Sequence, residues 1–151
     1  MKQEYPFHSA QFFTASIYNR QPVLADNRYK DIIIESLQFL VNEKRIELNA
    51  LVIMNNHIHL IWQAIAGFTL SEVQASFMKY TAQQIKRLLI KDHSDILEAF
   101  KVNKYDRDYQ IWKREPLSVN LLPNQYSFRN LNIYLPDLSF PSVPARAGRR
   151  A

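Results

Sequence analysis

Two apolar stretches separated by only two polar residues restrict this chain more than any other feature of its sequence. Ile46 to Met54 (IELNALVIM) alternates at first and then becomes continuously apolar, and His57 to Gln63 (HIHLIWQ) carries Ile58, Leu60 and Trp62 at every second position. A period of two, with β-branched and aromatic residues, marks both stretches as strands. Asn55-Asn56 leaves no room for a crossover helix, so the strands must fold back on each other as an antiparallel hairpin. The continuously apolar half of the first strand is what a covered, central strand requires. A lone hairpin is marginal in water, so further strands or a helical layer must complete the sheet.

The flanking segments supply them. Gln11 to Tyr18 (QFFTASIY) reads as a strand closed by the turn Asn19-Arg20-Gln21-Pro22. Asp26 or Asn27 can cap a helix running to about Asn42, with Ile33, Leu37, Leu40 and Val41 at helical spacing. Thr69 and Glu72 have the spacing of a capping box at the start of a long helix from Leu70. Val73, Phe77, Tyr80 or Thr81, Gln84 and Leu88 trace its inner and flanking faces, and Lys79, Lys86 and Arg87 its polar one. A helical stretch from Asp95 to Phe100 and a strand from Tyr105 to Trp112 follow. The order strand–helix–strand–strand–helix–strand predicts a ferredoxin-like α+β fold: an antiparallel sheet of four or five strands with helices packed on it. The pattern fails after Pro123: four of the 7 prolines lie from Pro123 to Pro144, and the tail Ser142 to Ala151 has neither periodicity nor core residues. The expected organisation is one domain over 4–122 and an unstructured tail over 123–151.

Composition narrows the class. With 151 residues, 47% hydrophobic and 22% charged, the chain has material for one globular core, which excludes wholesale disorder. The absence of cysteine removes disulfides, a thiolate nucleophile and Cys-type zinc sites. Neither a signal peptide nor an apolar run of ~20 residues is visible, so the expected setting is cytoplasmic, without a membrane partner. The net charge of +5 points to polyanions. Nine basic residues face five acidic ones between Lys79 and Arg114, so +4 of the +5 lies there, interleaved with Phe77, Tyr80, Phe100, Tyr105, Tyr109 and Trp112. Charge for phosphates and rings for stacking suit single-stranded nucleic acid, and a solvated helix face over core aromatics produces the same composition.

His57-Ile58-His59 carries the sharpest chemistry. Alternation along a strand puts both imidazoles on one face with Cα atoms about 7 Å apart, while Ile58, Leu60 and Trp62 share the other. Two imidazoles so placed can converge on one divalent ion, and added oxygen ligands would suit Mg²⁺ or Mn²⁺. In isolation the triplet is weak evidence, and an exposed, polar strand face explains it more simply. His8 and His93 have no partner at ligand spacing.

The string Val52-Ile-Met-Asn-Asn-His-Ile-His-Leu-Ile-Trp62 resembles the signature of the HUH single-tyrosine transposases, in which a Val-x-Met-Pro-Asn-His-hydrophobic-His-Leu string is characteristic. Asn55 stands where that family usually has Pro. Tyr5-Pro6-Phe7-His8 with Phe12-Phe13-Thr14-Ala15, Phe77 to Ile85 and Gln110 to Val119 extend the likeness over about residues 4–119, closest to the REP-associated tyrosine transposases. The resemblance implies cleavage and joining of single-stranded, hairpin-bearing DNA. It gives His57 and His59, with one further polar ligand, the role of holding a divalent cation, Mg or Mn, at the scissile phosphate. A tyrosine attacks the phosphorus, forms a 5′-phosphotyrosyl link and leaves a 3′-OH, so rejoining needs no ATP. The resemblance also implies a bacterial, nucleoid-associated setting and a homodimer as one form, and the basic stretch predicts DNA backbone contacts from Lys79, Lys86, Lys113 and Arg114. Trp112 and Tyr80 read as packing residues.

The nucleophile is where the sequence departs. The family's tyrosine opens a Tyr-Ile-His-x-Asn-Pro-type string on a helix, and ungapped counting from Pro116 to Val119 puts its tyrosine position on Ile133 and its asparagine position on Asp137. Tyr134 is one residue out of register, ~100° around a helix, and Pro136 would interrupt that helix. Tyr134 is the expected nucleophile by proximity, ahead of Tyr126, and Asp137 the expected third metal ligand. Leu131-Asn132 still fit the family pattern, so the abrupt break suits a frameshift or a decaying copy. An inactive relative that still binds hairpin DNA is therefore the alternative to an active enzyme. A ferredoxin-like RNA-binding domain would need paired aromatics where the histidines stand.

Overall fold

The computed structural model describes residues 10–121. Its main sheet is built from β1 (Gln11–Ser16), β2 (Ile46–Ile53), β3 (His57–Ala64) and β6 (Leu117–Asn120) in the order β2-β3-β1-β6, all antiparallel. Helices α1 (Asn27–Asn42) and α2 (Leu70–Asp92) form the second layer, and a short α3 (Ser94–Leu97) leads to a separate hairpin of β4 (Lys101–Lys104) and β5 (Arg107–Tyr109). The order and connections are those expected of a ferredoxin-like α+β sandwich.

Register decides which side chains face the helices. Phe13 lies opposite Leu60, Ala15 opposite Ile58 and Leu51 opposite Leu60, so these residues and Trp62 share one face. All are buried, and Trp62 anchors the layer with rings of Phe13 and Phe77 at 5.0 and 5.6 Å from it. Asp26 caps α1 by accepting a hydrogen bond of 2.9 Å from the Arg28 N–H. Ile33, Leu37 and Leu40 bury its inner face, whereas Val41 is exposed, one position past the end of the apolar stripe. Thr69 and Glu72 close the expected capping box at the start of α2. Arg28 then spans from Asp26 to Asp92, tying the start of α1 to the end of α2.

The structure refines one expectation and corrects another. The buried stripe of α2 is Val73, Phe77, Thr81, Ile85 and Leu89, advancing by four residues each time, so Thr81 rather than Tyr80 is the inner residue, and Gln84 and Leu88 flank the stripe. A stripe with that step slants around the helix, as crossing a second layer at an angle demands. Thr81 is tolerated in the core because its hydroxyl donates to the Phe77 carbonyl at 2.7 Å and accepts from Trp112 Nε1 at 3.0 Å. Tyr80 is instead half exposed. The segment Tyr105–Trp112 is no single strand: Asp106 and Arg107 pair locally at the tip of the β4–β5 hairpin, and Trp112 makes an isolated bridge with Ile17. The fourth strand of the main sheet is β6. The expected tail over 123–151 lies outside the described residues.

Candidate active site

Strand β3 leaves the tight Asn55-Asn56 turn and immediately presents His57 and His59 on the face of the sheet opposite the helices. Backbone pairing places Ser16 across from His57 and Thr14 across from His59 on β1, and Val52 across from His59 on β2. The two imidazoles are close, with ring centroids 4.9 Å apart and planes 80° to each other. Both are half-buried, and Phe12 stacks on His59 at 5.5 Å.

Each ring is oriented by a neighbour through Nδ1. Asn56 Nδ2 donates to the Arg20 carbonyl at 3.5 Å, which leaves Asn56 Oδ1 as acceptor for the His57 Nδ1–H at 2.8 Å. A proton on Nδ1 makes Nε2 the lone-pair nitrogen of neutral His57. His59 Nδ1 shares a 2.9 Å hydrogen bond with Thr14 Oγ1; in the tautomer whose Nδ1–H donates to the hydroxyl oxygen, Nε2 carries the lone pair. Burial, with a smaller contribution from His57, holds the His59 pKa below the ordinary imidazole value and so favours the neutral, ligating form. Hydrogen-bonded Nδ1 and free Nε2 is the arrangement metal-ligating histidines use. The donor set fits a divalent cation held by two nitrogens. Among the described residues no group of three or more His, Cys, Asp or Glu surrounds one point, so any remaining ligands come from elsewhere.

The other expected site residues are spread over the molecule. Lys113 lines the same cleft as His57, and exposed Arg114 follows it in a bend where Glu115 adopts a left-handed φ of 60°. Lys79 and Lys86 belong to α2, in the helical layer on the other side of the sheet, and Lys86 lies 4.9 Å over the Tyr109 ring. Trp112 is buried, as a packing residue should be. Tyr134, Asp137 and Tyr126 lie outside the described residues, as does His8. Sequence reading missed Thr14 and the role of Asn56. The second was legible, since an Asn directly before a strand histidine can reach its Nδ1, but the first needed the β1–β3 register.

Two solved structures share this antiparallel α+β fold. One is a candidate transposase from Deinococcus radiodurans R1, 14% identical, with a TM-score of 0.53 over 82% of this chain and 87% of that one. The other is a REP-associated tyrosine transposase bound to a REP hairpin, 19% identical, with a TM-score of 0.52 over 81% of this chain and 61% of that one. No curated protein matches the sequence. The chain itself belongs to the IS200-like transposase family: the family profile, "Transposase IS200 like", matches residues 9–114, which include both histidines and their Thr14 and Asn56 partners. Among the described residues no helix is long and apolar enough to cross a membrane.

Proposed function

We propose that this chain acts on single-stranded, hairpin-bearing DNA by metal-assisted strand cleavage and joining, with His57 and His59 as the cation ligands. The observation that carries the reading is the paired geometry of the two rings, each with Nδ1 engaged and Nε2 free, on a strand inside the family match. The solved neighbour bound to a REP hairpin supports the substrate class. A divalent cation held by the two Nε2 atoms would neutralise charge on the scissile phosphate and make phosphorus a better electrophile. Asn56 and Thr14 keep the rings aimed, and Phe12 shields one side of His59 from water. Lys113, which lines the cleft beside His57, and the next residue Arg114 would meet backbone phosphates. Lys79 and Lys86 would serve a strand that wraps around to the helical layer.

Tyr134 is the proposed nucleophile and Asp137 the proposed third ligand. A phenol of pKa ~10 is a poor nucleophile and depends on accurate placement, and a misplacement of ~1 Å can cost about a hundredfold. The register that puts Ile133 at the family's tyrosine position therefore favours a second reading, in which the chain binds hairpin DNA and does not cut it.

One experiment separates the two. The purified chain is incubated with a labelled hairpin oligonucleotide bearing single-stranded flanks, with Mg²⁺ or Mn²⁺, and resolved on native and denaturing gels. Retention on the native gel with a covalent adduct that vanishes in Tyr134→Phe establishes the active enzyme. Retention without an adduct establishes the binding protein. Loss of retention altogether rejects both.

A further inference from the structure

A cleft of about 640 Å³ opens beside His57, within the ~300–1,000 Å³ range of small-ligand sites. Its walls are stitched together by the backbone. The Ile17 N–H donates to the Asn56 carbonyl at 2.8 Å, the Tyr18 N–H to the Ile111 carbonyl at 2.8 Å, and the Lys113 N–H to the Ser16 carbonyl at 2.8 Å. The rim is the turn Asn19-Arg20, where both residues adopt left-handed φ angles of 54° and 52°. Consecutive left-handed residues other than glycine are uncommon and cost energy, and such conformations concentrate at functional sites. The turn is braced from outside, since Asn19 Nδ2 donates to the Ala99 carbonyl at 3.1 Å.

The lining has one electrostatic sign. Arg20 and Lys113 contribute two exposed cations, and neither has an ion-pair partner among the described residues. Among the described residues no carboxylate lines the cleft, whereas Tyr18 gives it apolar surface. An anion with an attached flat, partly apolar body matches that lining, and His57 at one end places it next to the candidate chemistry.

We propose that this cleft seats one nucleotide of the single strand flanking the scissile phosphate, with Arg20 and Lys113 gripping its phosphate and Tyr18 offering apolar surface to its base. This rests on the DNA-processing reading above and adds the residues that would fix which phosphate reaches His57 and His59. Arg20 is then a substrate-positioning residue outside the basic stretch from Lys79 to Arg114.

The test is a phosphate walk. Hairpin oligonucleotides carry a neutral methylphosphonate at one flank position at a time, and affinity for the full chain is read by fluorescence anisotropy. One position, or two adjacent ones, should weaken binding by about tenfold, the scale of a charge-assisted contact. In Arg20→Asn/Lys113→Gln the all-phosphate strand should bind correspondingly less well, and neutralising that same position should cost nothing more. Asparagine tolerates left-handed backbone, so the turn is kept; Lys113→Gln alone, at an exposed side chain, gives the same readout by half. Fully additive effects of variant and methylphosphonate would overturn the cleft assignment while leaving DNA binding in place. Failure of the unmodified chain to bind any hairpin oligonucleotide would overturn the DNA reading and the cleft with it.

Discussion

The two faces of one sheet follow different rules. On the covered face Phe13, Ala15, Ile58, Leu60 and Trp62 are almost completely buried and meet the stripe of α2. On the other face the same strands carry Thr14, Ser16, His57 and His59, and β6 adds Leu117 and Val119, which are 57% and 44% exposed. Adjacent residues of β3 thus serve opposite purposes: Ile58 holds the fold together and its neighbours are free for chemistry. Core packing and the candidate site are separated by a single residue step along the strand.

That separation can be broken most directly at Trp62. Trp62→Ala removes the ring that meets both Phe13 and Phe77, and should cost about 3–5 kcal/mol in denaturant unfolding. The His57→Ala/His59→Ala pair should stay within about 1 kcal/mol of the parent in the same assay. Comparable losses from the two variants would show that the faces are not energetically distinct.

Thr14→Val sharpens the comparison from the other side. It keeps the shape of the β1 residue and deletes the hydroxyl on His59 Nδ1. Divalent-cation affinity, measured by calorimetry, should fall by about 10–100-fold, as for other partners behind a ligating histidine. An unchanged affinity would remove Thr14 from the site.

Thr81→Val makes the parallel cut on the covered face. It leaves Trp112 Nε1 without its acceptor in a buried place, at a cost of about 1–3 kcal/mol in unfolding free energy. The smallest effect is expected at Asp26, remote from both faces. Asp26→Ala should lower the unfolding midpoint slightly through loss of the α1 cap. Arg28, by hydrogen bonding, holds the Asp26 pKa below its ordinary value of 3.8. Its charge therefore contributes fully above that value and is lost as pH falls through the lower folded one. Asp26→Asn, which keeps a capping side chain but not the charge, should lower stability slightly at neutral pH, leave it nearly unchanged at low pH, and so flatten the acid limb of the profile.

The sequence made the covered face legible because burial leaves a period. Ile58, Leu60 and Trp62 repeat every two residues, and Ile33 and Leu37 at helical spacing. Thr81 escaped that logic, since its burial depends on a hydrogen bond from Trp112, 31 residues away. The open face was readable only where chemistry was local: His57 and His59 are two positions apart, and Asn56 touches its neighbour. Thr14 and Arg20 reach the histidine region through the register of β1 and the path of its following turn, which hydrophobic patterning does not encode. The β4–β5 hairpin was mistaken for a strand of the main sheet because Tyr105, Tyr109 and Trp112 carry strand-like residue types, although Tyr105 is fully exposed.

Strand β1 fills both of its edges from a distance: Thr14 meets His59 45 positions later, and Gln11 meets Asn120 109 positions later. During synthesis the histidine side of β1 can therefore be paired well before β6 has been made. Until then the other edge of β1, with Phe12 and Phe13 in its row, presents unpaired amides to any strand nearby. A nascent chain halted before Leu117 would hold an assembled imidazole pair and an open edge at once. Its characteristic failure would be self-association through β1, with the candidate chemistry already in place.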